Sequence, residues 1–257
     1  MKIKFHKYEG AGNDFILIDN REMHFKDLDH ELIKSMCDRK KGIGADGLIL
    51  LQLVDSYDFE MVYFNADGQL GSMCGNGGRC IVDFAKQLNL FDRECNFLAC
   101  DGPHVATWSN TEVSLRMQDV NDIECAEDFF FLNTGSPHYV KFVNQLEDID
   151  VFERGREIRY NQRFNQEGTN VNFVEIKNDK LYIRTYERGV EDETLACGTG
   201  VVASVLSAYE SGRLQLQSMD VVAMGGYLKV KFEKKHNYTA IDLTGPYRCV
   251  YKGEIIC

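Results

Sequence analysis

The chain has only three prolines, one tryptophan and no Cys-x-x-Cys pair among 257 residues. So few prolines, with 27% charged and 44% hydrophobic residues, argue against long disordered stretches and allow a sizeable core. Positive charge is also scarce: 29 lysines and arginines face 40 aspartates and glutamates, a net charge of −11. A nucleic-acid binder needs a basic face to neutralise phosphates, and an anionic membrane attracts the same sign, so both partners are disfavoured. A zwitterionic or cationic small molecule stays compatible. Long apolar runs are missing too. No stretch approaches the roughly 18 consecutive apolar residues of a transmembrane helix. Residues 1–12 are charged and lack the apolar centre of a signal peptide, so the expected location is the cytoplasm.

Nine cysteines are present, an odd number, which disfavours a disulfide framework in a chain of this length and expected compartment. The nearest zinc candidates, Cys74, Cys80, Cys95 and Cys100, are six, fifteen and five residues apart, whereas structural zinc draws on close pairs. No metal is expected. The thiols read either as buried and inert or as a few reactive groups.

Period-two alternation dominates. Ile3 and Phe5 alternate with Lys2 and Lys4; Leu181, Ile183 and Thr185 with Tyr182, Arg184 and Tyr186; Leu228, Val230 and Phe232 with Lys229, Lys231 and Glu233. Half-buried strands read this way. Further strands are expected at 14–19, 47–54, 58–65, 104–109, 111–117, 138–143, 171–176, 239–243 and 247–251. Helical spacing is rarer. Leu28, Leu32, Ile33, Met36 and Cys37 form one amphipathic stripe, and Ile81, Val82, Phe84, Ala85 and Leu88 another. Residues 201–209 are apolar nearly all round, as in a helix buried on every side. Many strands around a few buried helices suggest an α+β fold, with barrels wrapped on helices.

A weak internal repeat is the most informative feature. Tyr63-Phe64-Asn65, then Cys74-Gly75-Asn76-Gly77, then the 81–88 stripe recurs as Tyr186-Glu187-Arg188, Cys197-Gly198-Thr199-Gly200 and the 201–209 helix. Each matched pair is 123 residues apart and no gap is needed. The halves are expected at 1–117 plus 246–257, carrying Cys74, and at 118–245, carrying Cys197. Asn76 and Thr199 read as N-caps of the two helices. The glycines let backbone approach a ligand closely. The loop lacks both the Walker lysine and the dinucleotide spacing, so it is not read as a phosphate loop.

Each cysteine thus stands at the positive end of a helix, where a thiol of ordinary pKa about 8.5 becomes more acidic and first-turn N–H groups can hold a carboxylate. Two such thiols on either side of one α-carbon could remove a proton from one face and deliver one to the other, inverting the centre without a cofactor. A single nucleophilic cysteine explains less, because it needs no matched partner.

These segments resemble the diaminopimelate epimerase family over essentially the whole chain. The resemblance runs from Gly10-Ala11-Gly12-Asn13-Asp14-Phe15 to Gly245-Pro246 and beyond. It is most specific at Phe64-Asn65-Ala66-Asp67-Gly68, Cys74-Gly75-Asn76-Gly77-Gly78-Arg79-Cys80, Tyr186-Glu187-Arg188-Gly189 and Ala196-Cys197-Gly198-Thr199-Gly200. It implies interconversion of LL- and meso-2,6-diaminoheptanedioate in lysine and peptidoglycan precursor synthesis, with Cys74 and Cys197 as the acid/base pair. It also implies two pseudo-symmetric barrel-like domains around central helices, a homodimer, and neither metal nor pyridoxal phosphate. His138, in Gly135-Ser136-Pro137-His138, would assist Cys74, and Glu187 would assist Cys197. Substrate contacts carry over to Asn13, Asn65, Asn170, Glu187 and Arg188, and to loop atoms of Gly75, Asn76, Gly198 and Thr199.

Two positions depart from the common pattern: Ser136 stands where asparagine is common, and Gly47 where glutamine often ends a Phe-Asp-Gln segment. Proline racemases and 4-hydroxyproline epimerases are similar in plan but typically place histidine after Cys-Gly, where this chain has Asn76. A racemase of another amino acid, such as histidine, would read the α-centre alike. The phenazine-pathway isomerase lacks the paired cysteines. A non-catalytic amino-acid binding module would need recognition groups without two reactive thiols.

Overall fold

A computed structural model of the chain describes residues 2–23, 25 and 30–256. Leu28, counted in the first helical stripe, and Cys257 lie outside the described residues. The described residues form seventeen strands, four α-helices and one 3-10 turn, and no helix is long and apolar enough to cross a membrane. The fold is of the α+β class. Two compact units divide it: Met1–Leu115 with Gly245–Cys257 (unit 1), and Arg116–Thr244 (unit 2).

Unit 1 contains β1 (Lys2–Gly10), β2 (Asn13–Asp19), α1 (His30–Cys37), β3 (Gly47–Gln52), β4 (Phe59–Asn65), α2 (Gly75–Gln87), β5 (Glu94–Ala99), β6 (Gly102–Trp108) and β7 (Glu112–Arg116). The final strand of the chain, β17 (Arg248–Ile256), pairs with β1. From β17 through β1 to β7, successive strands pair antiparallel except β2 with β3 and β4 with β5, which are parallel.

Unit 2 contains β8 (Ile123–Cys125), β9 (Phe130–Asn133), β10 (Pro137–Phe142), the 3-10 turn Leu146–Asp148 and α3 (Val151–Arg159). It continues with β11 (Asn170–Lys177), β12 (Lys180–Glu187), β13 (Asp192–Thr194), α4 (Gly198–Glu210), β14 (Ser218–Ala223), β15 (Gly226–Lys234) and β16 (Tyr238–Pro246). The parallel pairs are β10 with β11 and β12 with β14; the other pairs are antiparallel. The run from β1 to β6 in unit 1 thus recurs from β9 to β15 in unit 2. Gly75 and Gln87 of α2 match Gly198 and Glu210 of α4 at the same offset of 123 residues.

Burial explains the strand sequences. β2 and β3 carry continuous apolar runs because both faces are covered. Ile16, Ile18, Leu48 and Leu50 pack with Ile33, Met36 and Cys37 of α1. Phe15 and Ile49 turn to the other face, against Gly77 of α2. β11 repeats the arrangement: Val171 and Phe173 join Val151 and Tyr186 in one core, while Asn172 turns towards α4.

Both central helices are buried. α4 is buried from Gly200 to Ala208, and Ser204 satisfies its hydroxyl on the Gly200 carbonyl at 2.7 Å. α2, expected to be amphipathic, is also buried, from Asn76 to Ala85. Its polar Asp83 is tolerated because Tyr8 Oη, Trp108 Nε1 and Gln87 Nε2 all donate to it at 2.7–2.9 Å.

Candidate active site

In both halves the cysteine itself is the N-cap. Cys74 has φ −109° and ψ 118°, and Cys197 has φ −116° and ψ 109°. The expectation that Asn76 and Thr199 cap the helices is therefore corrected: they lie two residues further in. The Asn76 side chain bonds Asn13 and Arg79, and the Thr199 hydroxyl lies between His138 Nε2 and the sulfur of the capping Cys197.

In unit 1, Asn76 Nδ2 donates to Asn13 Oδ1 at 2.7 Å, and Asn13 Nδ2 donates to Asp46 Oδ2 at 2.9 Å. Arg79, one helical turn beyond Asn76, donates from Nη2 to Asn76 Oδ1 at 2.6 Å and from Nε to the Pro246 carbonyl at 3.3 Å. Its guanidinium is fully buried, and burial pushes its pKa down while Cys80, Cys74 and Glu9 push it up. Behind this chain, Asp14 is half-buried, which lifts its pKa, yet hydrogen bonds from Arg39 and Lys7 hold the carboxylate below its usual range. A Cβ on Gly75 would meet nothing within 4 Å among the described residues, so the first turn of α2 is open beside Cys74. Asn65 stands exposed at the end of β4, paired with Gly47.

In unit 2, Asn170, Ser136 and Arg188 form one polar cluster. Asn170 Nδ2 donates to Ser136 Oγ at 2.9 Å, the Arg188 backbone N–H donates to Asn170 Oδ1 at 3.0 Å, and Arg188 Nη2 reaches Ser136 Oγ at 3.3 Å. Glu187 accepts from the Thr194 hydroxyl at 2.7 Å, and burial raises its pKa. His138 is fully buried, with Nε2 2.9 Å from Thr199 Oγ1 and Nδ1 3.1 Å from Asn172 Nδ2. Burial, then the charge of Arg188, pushes its pKa down to about 3. Thr199 Oγ1 is in turn 3.4 Å from Cys197 Sγ, and the Thr199 carbonyl accepts from the Thr134 hydroxyl at 2.8 Å. The resemblance links His138 with Cys74; here both of its ring nitrogens engage residues of unit 2.

Sequence reasoning assigned no role to Arg79, Asn172 or Thr134. Two periodicities carried a signal. Asn172 follows Asn170 by two, on the same face of a strand, and Arg79 follows Asn76 by three, on the same face of a helix. Among the described residues no group of three or more His, Cys, Asp or Glu side chains is arranged to hold a metal ion.

The profile of the diaminopimelate epimerase family matches residues 5–121 and 130–250. A diaminopimelate epimerase from Flavobacterium psychrophilum is 46% identical over 256 residues, covering 98% of this chain and 100% of the relative. One from Chlorobaculum tepidum is also 46% identical over 256 residues, covering 96% and 98%. The chain belongs to the diaminopimelate epimerase family.

The likeness of fold reaches beyond the diaminopimelate epimerases. A phenazine biosynthesis protein of the PhzF family from Bacillus anthracis superposes with a TM-score of 0.75 at 14% identity, covering 100% of both chains. A hydroxyproline epimerase from Agrobacterium vitis, solved with trans-4-hydroxy-L-proline, gives 0.71 at 14% identity, covering 99% of this chain and 91% of its own. Of the two departures from the common diaminopimelate epimerase pattern, packing accounts for Gly47, while Ser136 is held by hydrogen bonds. A Cβ on Gly47 would lie 2.4 Å from Tyr63 Cε2, so the Tyr63 ring fills the space a side chain would need. The Ser136 hydroxyl takes a place in the Asn170–Arg188 cluster.

Proposed function

We propose that this chain interconverts LL- and meso-2,6-diaminoheptanedioate, with Cys74 and Cys197 as its two acid/base groups. One observation carries the proposal: in a chain of this family, each half of the repeat puts a cysteine at the N-cap of its central helix. Two-base epimerisation requires one thiolate to take the α-proton from one face and one thiol to supply a proton to the other. The weakness of an α-proton as an acid is the main barrier. The first-turn N–H groups of α2 and α4 point out of the helix ends and are suited to stabilising charge that develops on the substrate carboxylate. The Asn170–Ser136–Arg188 cluster and Glu187 supply the charges and donors that the carboxylate and ammonium of an amino acid call for. In unit 1, Asn13, Asn65 and Asn76 offer further amide donors and acceptors of the kind an amino-acid substrate calls for. The enzyme is further taken to work as a homodimer, to be checked by sedimentation.

The test is epimerisation in D2O. Purified protein given LL-diaminopimelate should form the meso isomer with solvent deuterium at the α-carbon. Neither proline, hydroxyproline nor histidine should exchange. Binding of diaminopimelate without exchange would reject the proposal in favour of a non-catalytic module, and exchange of another amino acid alone would reassign the substrate.

A further inference from the structure

The two cysteine-bearing helices rest on different chemistry. A Cβ on Gly77 of α2 would meet Ile49 Cδ1 at 2.9 Å and Phe15 Cε1 at 3.5 Å. On the matching Gly200 of α4 it would meet Asn172 Oδ1 at 2.4 Å and His138 Cε1 at 3.4 Å. Phe15 and Ile49 thus become His138 and Asn172 one repeat later, at the same offset of 123 residues. Polar side chains buried where the sister half buries apolar ones are costly unless their atoms are bonded. Here the bonds also fix the direction of every hydrogen.

Asn172 Nδ2 donates to the Tyr139 backbone carbonyl at 2.9 Å, an atom that can only accept. That orients the carboxamide, and Oδ1 accepts from the Thr185 hydroxyl at 3.0 Å. The remaining amide hydrogen faces His138 Nδ1 at 3.1 Å. Nδ1 must therefore offer its lone pair, which leaves the ring's single proton on Nε2. Nε2 faces Thr199 Oγ1 at 2.9 Å. The Thr199 oxygen, once it has accepted that N–H, can turn its own hydrogen to Cys197 Sγ at 3.4 Å.

We propose that Asn172 is a positioning residue that fixes His138 as a neutral, Nε2-protonated donor, through which Thr199 is held to donate one hydrogen bond to the Cys197 sulfur. The inference rests on Cys197 being an acid/base thiol of the proposed reaction. A directed donor favours the thiolate over the thiol, because a hydrogen bond to an ionised acceptor is stronger than one to a neutral acceptor. His138 acts here as a fixed donor, not as a base. The device belongs to one half only, since Phe15 and Ile49 cannot form it. Burial of the ring and the nearby charge of Arg188 both oppose a second proton on His138.

The experiment uses the full chain without substrate. Iodoacetamide modification of Cys197 and Cys74 is followed separately by peptide mass spectrometry. Thr199→Val and Asn172→Leu should slow modification of Cys197 by roughly tenfold, the share of one charge-assisted hydrogen bond. Thr199→Ser should keep the wild-type rate, and Cys74 should keep its own rate throughout. Nitrogen NMR of the wild-type protein, with His138→Gln for assignment, should find Nδ1 unprotonated and Nε2 protonated from about pH 6 to 8. A proton on Nδ1, or unchanged Cys197 modification in Thr199→Val, overturns the inference. The wild-type tautomer decides the matter even if a variant fails to fold. Neither readout needs turnover, so the two failures are distinguishable: a failed epimerisation assay with the expected tautomer and modification rates would reject the proposed function and remove the catalytic meaning of the Asn172–His138–Thr199–Cys197 chain, but not the chain itself.

Discussion

A cysteine at an N-cap is unusual company for a helix, since serine, threonine, aspartate and asparagine are the side chains that serve that position best. Cys74 and Cys197 both hold it, which suggests that the sulfur is there for its chemistry. Replacing either with alanine should leave the fold intact, because a small side chain is removed from a helix end. Epimerisation should fall by at least about a hundredfold in each variant, the usual share of a positioned acid or base. Circular dichroism and turnover, measured on the same preparations, check both halves of the statement, and near-wild-type turnover in either variant would discard the two-thiol assignment. Gly47 makes a separate point. Its missing side chain is an adjustment to Tyr63, and the Phe64 carbonyl would also lie 2.5 Å from a new Cβ. Gly47→Ala should therefore cost about 1–3 kcal/mol in urea denaturation. An unchanged midpoint would mean that Tyr63 yields easily and that the glycine has another cause.

At the level of the element, the glycines of the two central helices separate packing from function. Gly200 is required by contact with Asn172, whereas Gly75 has open space around it. Gly75→Ala should stabilise unit 1 by about 0.4–1 kcal/mol through the unfolded state. It should also lower activity, because the new methyl would stand on the open first turn of α2. A loss of stability would show that the open space is filled by something the contacts do not reveal. What the sequence made legible at this scale follows the same division. The starts of α2 and α4 were visible because cysteine and glycines recur in register. β2, β3, β11 and β12 were visible because apolar residues fill or alternate along them. α3 was not visible: Val-Phe-Glu-Arg-Gly-Arg-Glu-Ile-Arg has few apolar positions and a central glycine. That glycine is present because a Cβ on Gly155 would lie 2.4 Å from Tyr186 Cβ, a contact set by tertiary packing. Short strands such as β8 and β13 lack the length for a readable pattern, and β5 and β14 alternate in burial over only six residues each. Asn172 is hidden in the sequence because its partners His138, Tyr139 and Thr185 are distant from it, and Arg79 shows only its near partner Asn76 and not the Pro246 carbonyl.

Across the whole molecule, one plan is used twice and its polar interior differs between copies, so the two units should answer acid differently. Unit 2 buries a neutral imidazole. His138 has a pKa of about 3 in the folded chain against 6.5 for the free side chain. Between those values the unfolded chain binds a proton there that the folded chain refuses. Stability therefore rises with pH through this window and is lost on acidification, by up to roughly 1.4 kcal/mol for each pH unit. Glu187 works in the opposite sense, since burial raises its pKa and the folded chain takes up its proton more readily than the unfolded chain. In unit 1, His6 is shifted down by burial and so acts in the same direction as His138. Asp14, whose pKa is depressed, contributes stability that disappears only as pH falls below its ordinary value of 3.8. The urea midpoint of the wild-type protein should thus fall between about pH 6.5 and 5, and that of His138→Gln should fall less over the same interval. Equal slopes in the two proteins would mean that the imidazole accepts a proton inside the fold. A ring that charges so easily could not serve as the fixed neutral donor between Asn172 and Thr199.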